Sequence, residues 1–413
     1  MHLDDIDFTK LASFGGDMPD HWFTFLRREA PVWFHPPVKD APELDGEGFW
    51  VLSKYHDIVP VNRDARTFSA ESGPGRKGGG IMIRDVDQSV GGIMIMTDPP
   101  RQQRMRQLVN QGFSPLGVRR LEHYCRELAR KLLDRVAERG DCDFVSDLAA
   151  EVPLQVIAEI LGVPEADRRQ VFTWTNLALD DTQTGARMEA YTQMYAYAYR
   201  LAAEKRAHPS DDVFSRIVAA ELLENDGSKH RLNDLELAGF FQLIATGGSE
   251  TTRNALSGGL LALLEEREQL ERLRRDRSLL KTAVEEILRW TSPVNYFRRT
   301  ATRDVVIRGE TIRAGDKVTM WYCSGNRDEE VYDDPFRLDI TRSPNDHLAF
   351  GAGGAHYCLG ANLAKMEIEI VLDEMLDRIT DIEVCGPIER FYTSWYLNVF
   401  GGYQRLPIRF RAL

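Results

Sequence analysis

The sequence lacks the features that mark several common classes of protein. Its longest uncharged apolar stretch, residues 237–249, is well short of the roughly 20 residues that span a bilayer. Residues 1–10 are acidic and contain neither the basic segment nor the apolar segment of a signal peptide. A formal net charge of −12 disfavours nonspecific nucleic-acid binding, although a local basic face could still exist. We therefore expect a soluble, cytoplasmic protein.

Cysteine is scarce, and proline, glycine and serine are not concentrated into any long polar spacer. The five cysteines form no Cys-x-x-Cys pair, and their odd number argues against a disulfide framework. No repeat at a solenoid period is present, and the hydrophobic fraction of 43% is ordinary for a globular protein. Although 413 residues would suggest two or three domains on length alone, we expect a single domain over residues 1–413.

Most of the regular hydrophobic pattern in the sequence is that of α-helices. Hydrophobic residues recur with the 3.6-residue period of an amphipathic helix in residues 116–139, 154–161, 186–206, 234–266 and 278–290. Short β-prone runs that flank turns occur at residues 48–53, 304–307, 317–321 and 407–410. The balance favours a mainly α fold with a small, mostly antiparallel β region.

The most informative segment is a glycine-rich loop that holds a cysteine directly before an amphipathic run. Cys358 precedes the run at residues 361–375, and the start of a helix favours a thiolate because of its unsatisfied N–H groups and positive partial charge. We expect the glycines at 351, 353, 354 and 360 to allow positive φ or the close approach of a flat partner. The alternative is a glycine-rich turn with a buried structural cysteine.

The pattern of Phe350, Gly353, His356, Cys358 and Gly360 resembles the cysteine-ligand loop of the cytochrome P450 haem-thiolate monooxygenases. Further segments resemble that family, in the expected order, over almost the whole chain. The resemblance implies a triangular prism of helices with haem b, an iron protoporphyrin, between two of them. It also implies that Cys358 is the axial thiolate, which favours O–O cleavage with O₂ as cosubstrate.

One detail of spacing indicates a subgroup. Seven residues lie between Phe350 and Cys358, one more than is common in the family. This spacing, with residues 250–254, 321–323 and 360–364, resembles the bacterial members that hydroxylate sterol side chains and methyl-branched lipids. We expect oxygen insertion into a C–H bond of a branched lipid, a terpenoid or a sterol side chain.

The long helix predicted at residues 234–266 has an unusual middle. Asn233 is a candidate N-cap, and Gly247 and Gly248 each cost about 1 kcal/mol relative to alanine inside a helix. We expect the Thr251 hydroxyl to bond the Gly247 carbonyl, to loosen the helix and to open a groove. The alternative is a kinked helix in which Glu250 is solvated or salt-bridged.

By resemblance to the family, this groove lies across the distal haem face, where O₂ binds. The resemblance implies that Thr251 hydrogen-bonds the bound oxygen and that Glu250 helps to relay protons from solvent. The chemistry agrees with this pairing, because heterolytic O–O cleavage needs protons, and a hydroxyl beside a carboxylate can pass them through water.

Two further sets of residues resemble family anchors. Glu286 and Arg289, three apart on one helical face, resemble the buried Glu-x-x-Arg pair, with Arg342 as the candidate third partner ahead of Arg337. Haem propionates need cationic or hydrogen-bonding side chains. The resemblance assigns the propionate contacts to Arg106, Gln102, Arg299 and His356, with Gln102 standing where the family has histidine.

We expect the substrate pocket to be formed by a hydrophobic, glycine-containing loop and by residues at positions that line the pocket in the family. The loop covers residues 71–96, and a hinge is expected at residues 180–187. The expected substrate contacts are Met82, Met94, Leu243, Thr246, Gly247, Val294, Asn295, Phe297, Val399 and Phe400.

Electrons are expected from outside the chain, since no dinucleotide-binding Gly-x-Gly-x-x-Gly follows a strand. The resemblance implies NAD(P)H as the source, through a ferredoxin and a ferredoxin reductase. An acidic ferredoxin could dock on a basic face formed by Arg101, Arg104, Arg119, Arg120, Arg126, Arg130 and Lys131, or these side chains could simply be solvated.

Two alternative functions stay open. One is a haem-thiolate enzyme that uses peroxide or isomerises its substrate, and the other is a noncatalytic haem or lipid sensor. Glu250 and Thr251 speak against the peroxide user, because such enzymes can dispense with that pair.

Overall fold

The computed structural model describes residues 1–10, 19–38, 46–76, 78–87, 93–179, 184–223, 227–392 and 399–413. Helices dominate these ranges. They are α1 (Asp20–Glu29), α2 (Tyr55–Arg63), α3 (Arg101–Phe113), α4 (Pro115–Ala137), α5 (Glu151–Ile160), α6 (Glu165–Leu179), α7 (Thr184–Ala207), α8 (Val213–Ala219), α9 (Asp234–Glu265), α10 (Arg267–Arg275), α11 (Leu280–Thr291), α12 (Tyr322–Gly325) and α13 (Ala361–Arg378).

The strands are short. They are β1 (Val32–His35), β2 (Phe49–Leu52), β3 (Phe68–Ser69), β4 (Gly78–Gly79), β5 (Val86–Asp87), β6 (Asp141–Asp143), β7 (Glu221–Leu223), β8 (Lys229–Arg231), β9 (Tyr296–Ala301), β10 (Val305–Ile307), β11 (Glu310–Ile312), β12 (Lys317–Trp321), β13 (Ile379–Val384), β14 (Glu389–Tyr392), β15 (Gly401–Arg405) and β16 (Pro407–Ala412).

The largest sheet has five strands in the order β1-β2-β12-β9-β3. Its pairs are antiparallel except β12 with β2, which run parallel. A three-stranded antiparallel sheet has the order β13-β16-β6, and β4-β5, β7-β8, β10-β11 and β14-β15 are antiparallel pairs. The expected mainly α fold with a small, mostly antiparallel β region is confirmed.

The central helix α9 organises the helical core. Asn233 and Glu236 form a capping box at its start, since each side chain accepts from the other residue's backbone N–H. Its 32 residues span about 48 Å and pack against α5, α7, α11 and α13. Most of its residues are buried, and its buried apolar side chains belong to the largest hydrophobic cluster. Such an element is stabilised by burial on several sides rather than by helix propensity.

The strongest periodic segments became helices within a few residues of their expected ends, as α4, α5, α7, α9 and α11 show. The sequence did not predict β9, because Arg298 and Arg299 interrupt the apolar pattern that marks a buried strand. Both arginine side chains are nevertheless buried. None of the described helices is long and apolar enough to cross a membrane.

Candidate functional site

The cysteine loop is a tight, glycine-dependent reversal of the chain. Gly351, Gly353 and Gly354 have φ of 80°, 89° and 79°, a region that strains any side chain other than glycine. The Cys358 N–H donates to the Phe350 carbonyl at 3.0 Å, which closes the loop just before α13. Gly360 does not need positive φ, since its φ is −85° and it serves as the N-cap of α13. A Cβ there would meet no protein atom, so open space adjoins it.

Helix α2 holds this loop from one side. The Asn62 side chain donates to the Gly353 carbonyl at 2.8 Å and accepts from the Tyr322 hydroxyl at 2.8 Å. Arg63 Nε donates to the Ala352 carbonyl at 2.6 Å. The contacts of Asn62 and Arg63 were not predicted, because α2 lies almost 300 residues before the loop and no local sequence pattern connects the two.

The Cys358 thiol is solvent-accessible, yet much protein surrounds it. Burial raises the pKa of the thiol, while the Gly360 backbone N–H and the Arg106 charge pull it back. Without a bound metal, desolvation therefore works against the ionisation that the helix start favours. A metal ion reverses this balance, since a coordinating thiol is deprotonated outright.

Three cationic or potentially cationic groups gather beside this cysteine. Arg106 donates to the Tyr357 carbonyl at 2.6 Å, and the fully buried Arg299 donates to the Arg298 carbonyl at 2.9 Å. The His356 Nε2 atom is buried without a hydrogen-bond partner. Burial and then the Arg299 and Arg106 charges lower the pKa of His356 to about 3. An anionic group placed here would relieve both the charge repulsion and the orphaned nitrogen.

Gln102 also contacts the cysteine loop. Its Nε2 atom donates to the Ala355 carbonyl at 2.8 Å, and its Oε1 atom is buried without a hydrogen bond. The side chain therefore fastens α3 to the cysteine loop through one of the two N–H groups of its amide. Two distant segments meet here, which sequence spacing alone could not indicate.

The middle of α9 borders open space. Gly247 is exposed although it lies inside a core helix, and a Cβ there would meet nothing within 4 Å. The Thr251 hydroxyl donates to the Gly247 carbonyl at 3.0 Å, as expected. The expected loosening does not interrupt the helix, which runs unbroken from Asp234 to Glu265. The missing side chain, rather than a break in the backbone, makes the room.

Glu250 is buried and forms a salt bridge with Arg253, one helical turn further along α9. Burial raises the pKa of Glu250, and the Arg253 charge partly offsets that rise. The carboxylate is thus not solvated, and the salt-bridged alternative describes its contact in the structure. The contact with Arg253 was not predicted, although Arg253 follows Glu250 by three residues, which is the spacing of a helical ion pair.

The expected three-residue anchor is assembled in the interior. Glu286 and Arg289 are fully buried and joined by two bonds of 2.7 and 2.8 Å, and Arg342 Nε approaches the same carboxylate at 3.2 Å. The Asn345 side chain and the Asp339 N–H complete the shell of Glu286 at 3.0 and 2.9 Å. The partners of Glu286 outside α11 all lie about fifty or more residues later in the sequence. Glu286 therefore ties α11 to the segment before the cysteine loop.

The expected pocket residues divide between two clusters and the α9 opening. The second hydrophobic cluster unites Met82, Val294, Phe297, Val399 and Phe400. Val294 and Phe400 also form an isolated β-bridge, and the Asn295 N–H donates to the Val399 carbonyl at 2.8 Å. Met94 and Leu243 pack in the largest cluster instead, while Thr246 bonds the Gln242 carbonyl next to exposed Gly247. Residues 180–183 of the expected hinge lie outside the described residues.

These features define a helical protein with a cysteine loop next to cationic side chains and with a core helix that borders open space at Gly247. The sequence model of the cytochrome P450 family matches residues 142–380, and the chain belongs to that family. The family is one of oxidoreductases, and it implies haem and O₂ with electrons from external donors.

Named relatives cover nearly the whole chain. A methyl-branched lipid omega-hydroxylase of Mycobacterium tuberculosis is 41% identical over 92% of this chain and 89% of its own. A steroid C26-monooxygenase of Rhodococcus jostii is 36% identical over 94% of this chain and 82% of its own. A solved Mycobacterium marinum cytochrome P450 in complex with pseudoionone has a TM-score of 0.86 at 36% identity, covering 98% of this chain and 96% of its own. The expected P450 fold is thereby confirmed.

Proposed function

We propose that this chain is a haem-thiolate monooxygenase that hydroxylates a C–H bond of a branched lipid, a terpenoid or a sterol side chain. The observation that carries the proposal is the proximity of Arg106 to Cys358 and of Arg299 and Arg106 to His356, in the same cysteine loop. Iron protoporphyrin carries two propionates and brings four nitrogen ligands of its own, so it needs one thiolate and a cationic cradle from the protein.

In this proposal each residue has a defined task. Cys358 would bind the iron, while Phe350, Gly353 and Gly360 shape the loop around it. Arg106, Arg299 and His356 would hold the propionates, and the orphaned His356 Nε2 atom supports that assignment. Bound haem supplies the activation of O₂. Glu286, Arg289 and Arg342 would hold the scaffold on the cysteine side.

Thr251 and Glu250 would deliver protons to the site. The Thr251 hydroxyl lies beside the Gly247 opening, where it can donate to a bound oxygen atom by releasing the Gly247 carbonyl. Glu250 is next to it and is held by Arg253 rather than by water. We infer that Glu250 exchanges protons with solvent when the Arg253 contact opens, since the pKa of this carboxyl is raised by burial.

Thr251→Ala is expected to separate electron use from product formation. Without the hydroxyl at the opening, productive proton delivery is lost, and O₂ that has taken up two electrons leaves with two protons from water as hydrogen peroxide. Product per NADPH should therefore fall about tenfold or more while NADPH oxidation continues. The measurement is product and peroxide per NADPH consumed. Thr192→Ala is the matched control, since Thr192 makes the same bond to the carbonyl four residues earlier on exposed α7 and should change neither ratio.

The apolar lining supports a hydrophobic substrate. Met82, Val294, Phe297, Val399 and Phe400 form one apolar group, and named relatives act on methyl-branched lipids and steroids. The test is a titration of the haem-loaded protein with methyl-branched fatty acids, terpenoids and sterols while the haem spin state is followed. Turnover with ferredoxin, reductase and NADPH then shows whether the bound compound is hydroxylated. A response only to small aromatics or polar macrolides would contradict the proposed substrate class.

The same experiment separates the alternatives. A monooxygenase consumes NADPH and O₂ when substrate and ferredoxin are present, whereas a peroxide user forms product from hydrogen peroxide alone. A sensor binds without turnover. A cytoplasmic location, where NAD(P)H is available to a ferredoxin reductase, is part of this proposal.

The basic face proposed for ferredoxin is smaller than the sequence suggested. Arg126 and Arg130 both bind Glu374 on α13, at 2.7 and 3.0 Å, so their charges are largely offset. Arg119, Arg120 and Lys131 are exposed on α4. We propose that the exposed cations of α4 attract an acidic ferredoxin.

Arg120→Glu should therefore slow reduction by ferredoxin about three- to tenfold at low salt, with the difference shrinking as salt screens the charges. Stopped-flow reduction rates at two ionic strengths provide the measurement. Arg267→Glu, the same charge reversal at an exposed position on α10, is the control. Equal rates for Arg120→Glu and wild type at low salt would contradict docking on α4.

A further inference from the structure

A largely buried group of charged side chains, with only Glu47 exposed, lies behind the strand that carries Phe297 and Arg299, and the proposed reaction does not use it. Its members are Glu47, Arg76, Asp85, Arg298 and Lys317, and we refer to them as the charge cluster. Arg298 and Lys317 are almost fully buried, on β9 and β12. Arg76 and Asp85 flank the β4-β5 pair of the substrate loop. Buried charges of this kind are costly unless they are paired.

The pairs of the charge cluster join the substrate loop to the sheet. Arg298 Nη1 lies 2.7 Å from Asp85 Oδ1, and Arg76 Nε lies 3.0 Å from the other Asp85 oxygen. The Glu47 carboxylate lies 2.6 Å from the Arg76 guanidinium and 3.3 Å from the Lys317 ammonium group. Asp85 therefore has an arginine on each oxygen, one from the loop itself and one from β9.

Arg298 also binds the loop backbone directly. Its N–H donates to the Ile81 carbonyl at 2.8 Å, and its guanidinium donates to the carbonyls of Met82 and Arg84 at 3.2 and 3.4 Å. The backbone N–H and the side chain of Arg298 together hold residues 81–85 along β9. Met82 and Ile83, within this segment, are buried in the same cluster as Val399.

The position of Arg298 in β9 connects this contact to the pocket. Side chains alternate across a strand, so Phe297 and Arg299 lie on the face opposite Arg298. Phe297 is an expected substrate contact and Arg299 an expected propionate contact. Any shift of residues 81–85 against β9 would therefore move Met82 relative to Phe297.

We propose that the Arg298–Asp85 ion pair is a positioning latch that holds residues 81–85 against β9 and so sets the shape of the substrate pocket. The role in substrate binding rests on the proposed function, whereas the latch itself does not. Arg298 and Asp85 are positioning residues, since they act through Met82 and Phe297 rather than on the reacting atoms.

Asp85→Asn in the haem-loaded protein tests the latch. Removing one charge leaves Arg298 buried without its carboxylate, so backbone amides of residues 81–86 should exchange hydrogen about tenfold faster without any ligand. Asp85→Glu, which keeps the charge, should stay closer to wild type. Asp57→Asn is the matched control, because it breaks the Asp57–Arg308 pair of 2.6 Å on α2 and the β10-β11 turn and should leave exchange at 81–86 unchanged.

Pseudoionone binding, followed by the haem spin state, tests the consequence for the pocket. Its Kd should rise about tenfold in Asp85→Asn, while the spectrum of the reduced carbonyl complex stays as in wild type. Unchanged exchange at residues 81–86 would overturn the latch. Faster exchange with an unchanged Kd would overturn the positioning role. If wild type does not respond to pseudoionone but exchange accelerates, the latch stands and the proposed substrate class is weakened.

Discussion

Cys358→Ser is expected to abolish turnover. A serine hydroxyl does not replace a thiolate as an iron ligand or donate comparable electron density, so O–O cleavage loses its driving group. The reduced carbonyl complex should lose the red-shifted Soret band typical of thiolate-ligated haem. The spectrum of the reduced, carbonyl-bound protein measures this directly, before any substrate is known.

The control for this substitution is Cys385→Ser. Cys385 is also an exposed free cysteine, but it follows β13, and its N–H bonds the Pro407 carbonyl in the sheet region. Its replacement should leave the spectrum and the turnover unchanged. A Cys358→Ser protein that kept the wild-type carbonyl spectrum would refute iron ligation by Cys358 and with it the proposed function.

Glu286→Gln should be among the most destabilising conservative changes in this chain. Glu286 is fully buried and accepts bonds from Arg289, Arg342, Asn345 and the Asp339 N–H. Loss of the carboxylate charge leaves two arginines without their counterion, one of them fully buried. Breaking a buried ion pair in this way costs about 3–5 kcal/mol of unfolding free energy. Urea unfolding of the haem-loaded protein, with haem retention followed in parallel, measures the effect.

The matched control is Glu271→Gln. Glu271 and Arg274 have the same spacing of three residues, but their atoms are 3.8 Å apart and the Glu271 side chain is 58% exposed. Such a pair contributes at most about 1 kcal/mol. A similar loss of stability in both variants would mean that burial does not distinguish the two pairs, and that Glu286 is not an anchor of the fold.

Much of the fold was readable from local pattern. The capping box at Asn233, the unbroken periodicity behind α9 and the glycines of the cysteine loop are all encoded within a few residues of the feature they produce. The Glu271 and Glu286 pairs show where local pattern ends. Their spacing is identical, and only tertiary burial makes one of them an interior network.

The contacts of the site residues were harder to predict from the sequence, because residues far apart in the chain determine them. Gln102 was expected to face a ligand, and one N–H group of its amide binds the Ala355 carbonyl more than 250 residues away. Glu250 was expected to be a proton relay or else to be solvated or salt-bridged, and burial against Arg253 selects the salt-bridged contact. The pKa of Cys358 was expected to fall, yet burial raises it. In each case the environment, rather than the residue type, fixes the partner or the charge.

The sequence by itself determined which residues carry chemistry, because thiol, hydroxyl, carboxylate and guanidinium groups are properties of single positions, and motif spacing orders them along the chain. Only the tertiary structure decided what surrounds each group. Asn62 and Arg63 behind the cysteine loop, and Arg298 behind the pocket strand, act across hundreds of residues. Hydrogen bonds and desolvation depend on distances of a few ångströms in space, which the chain establishes only when it folds.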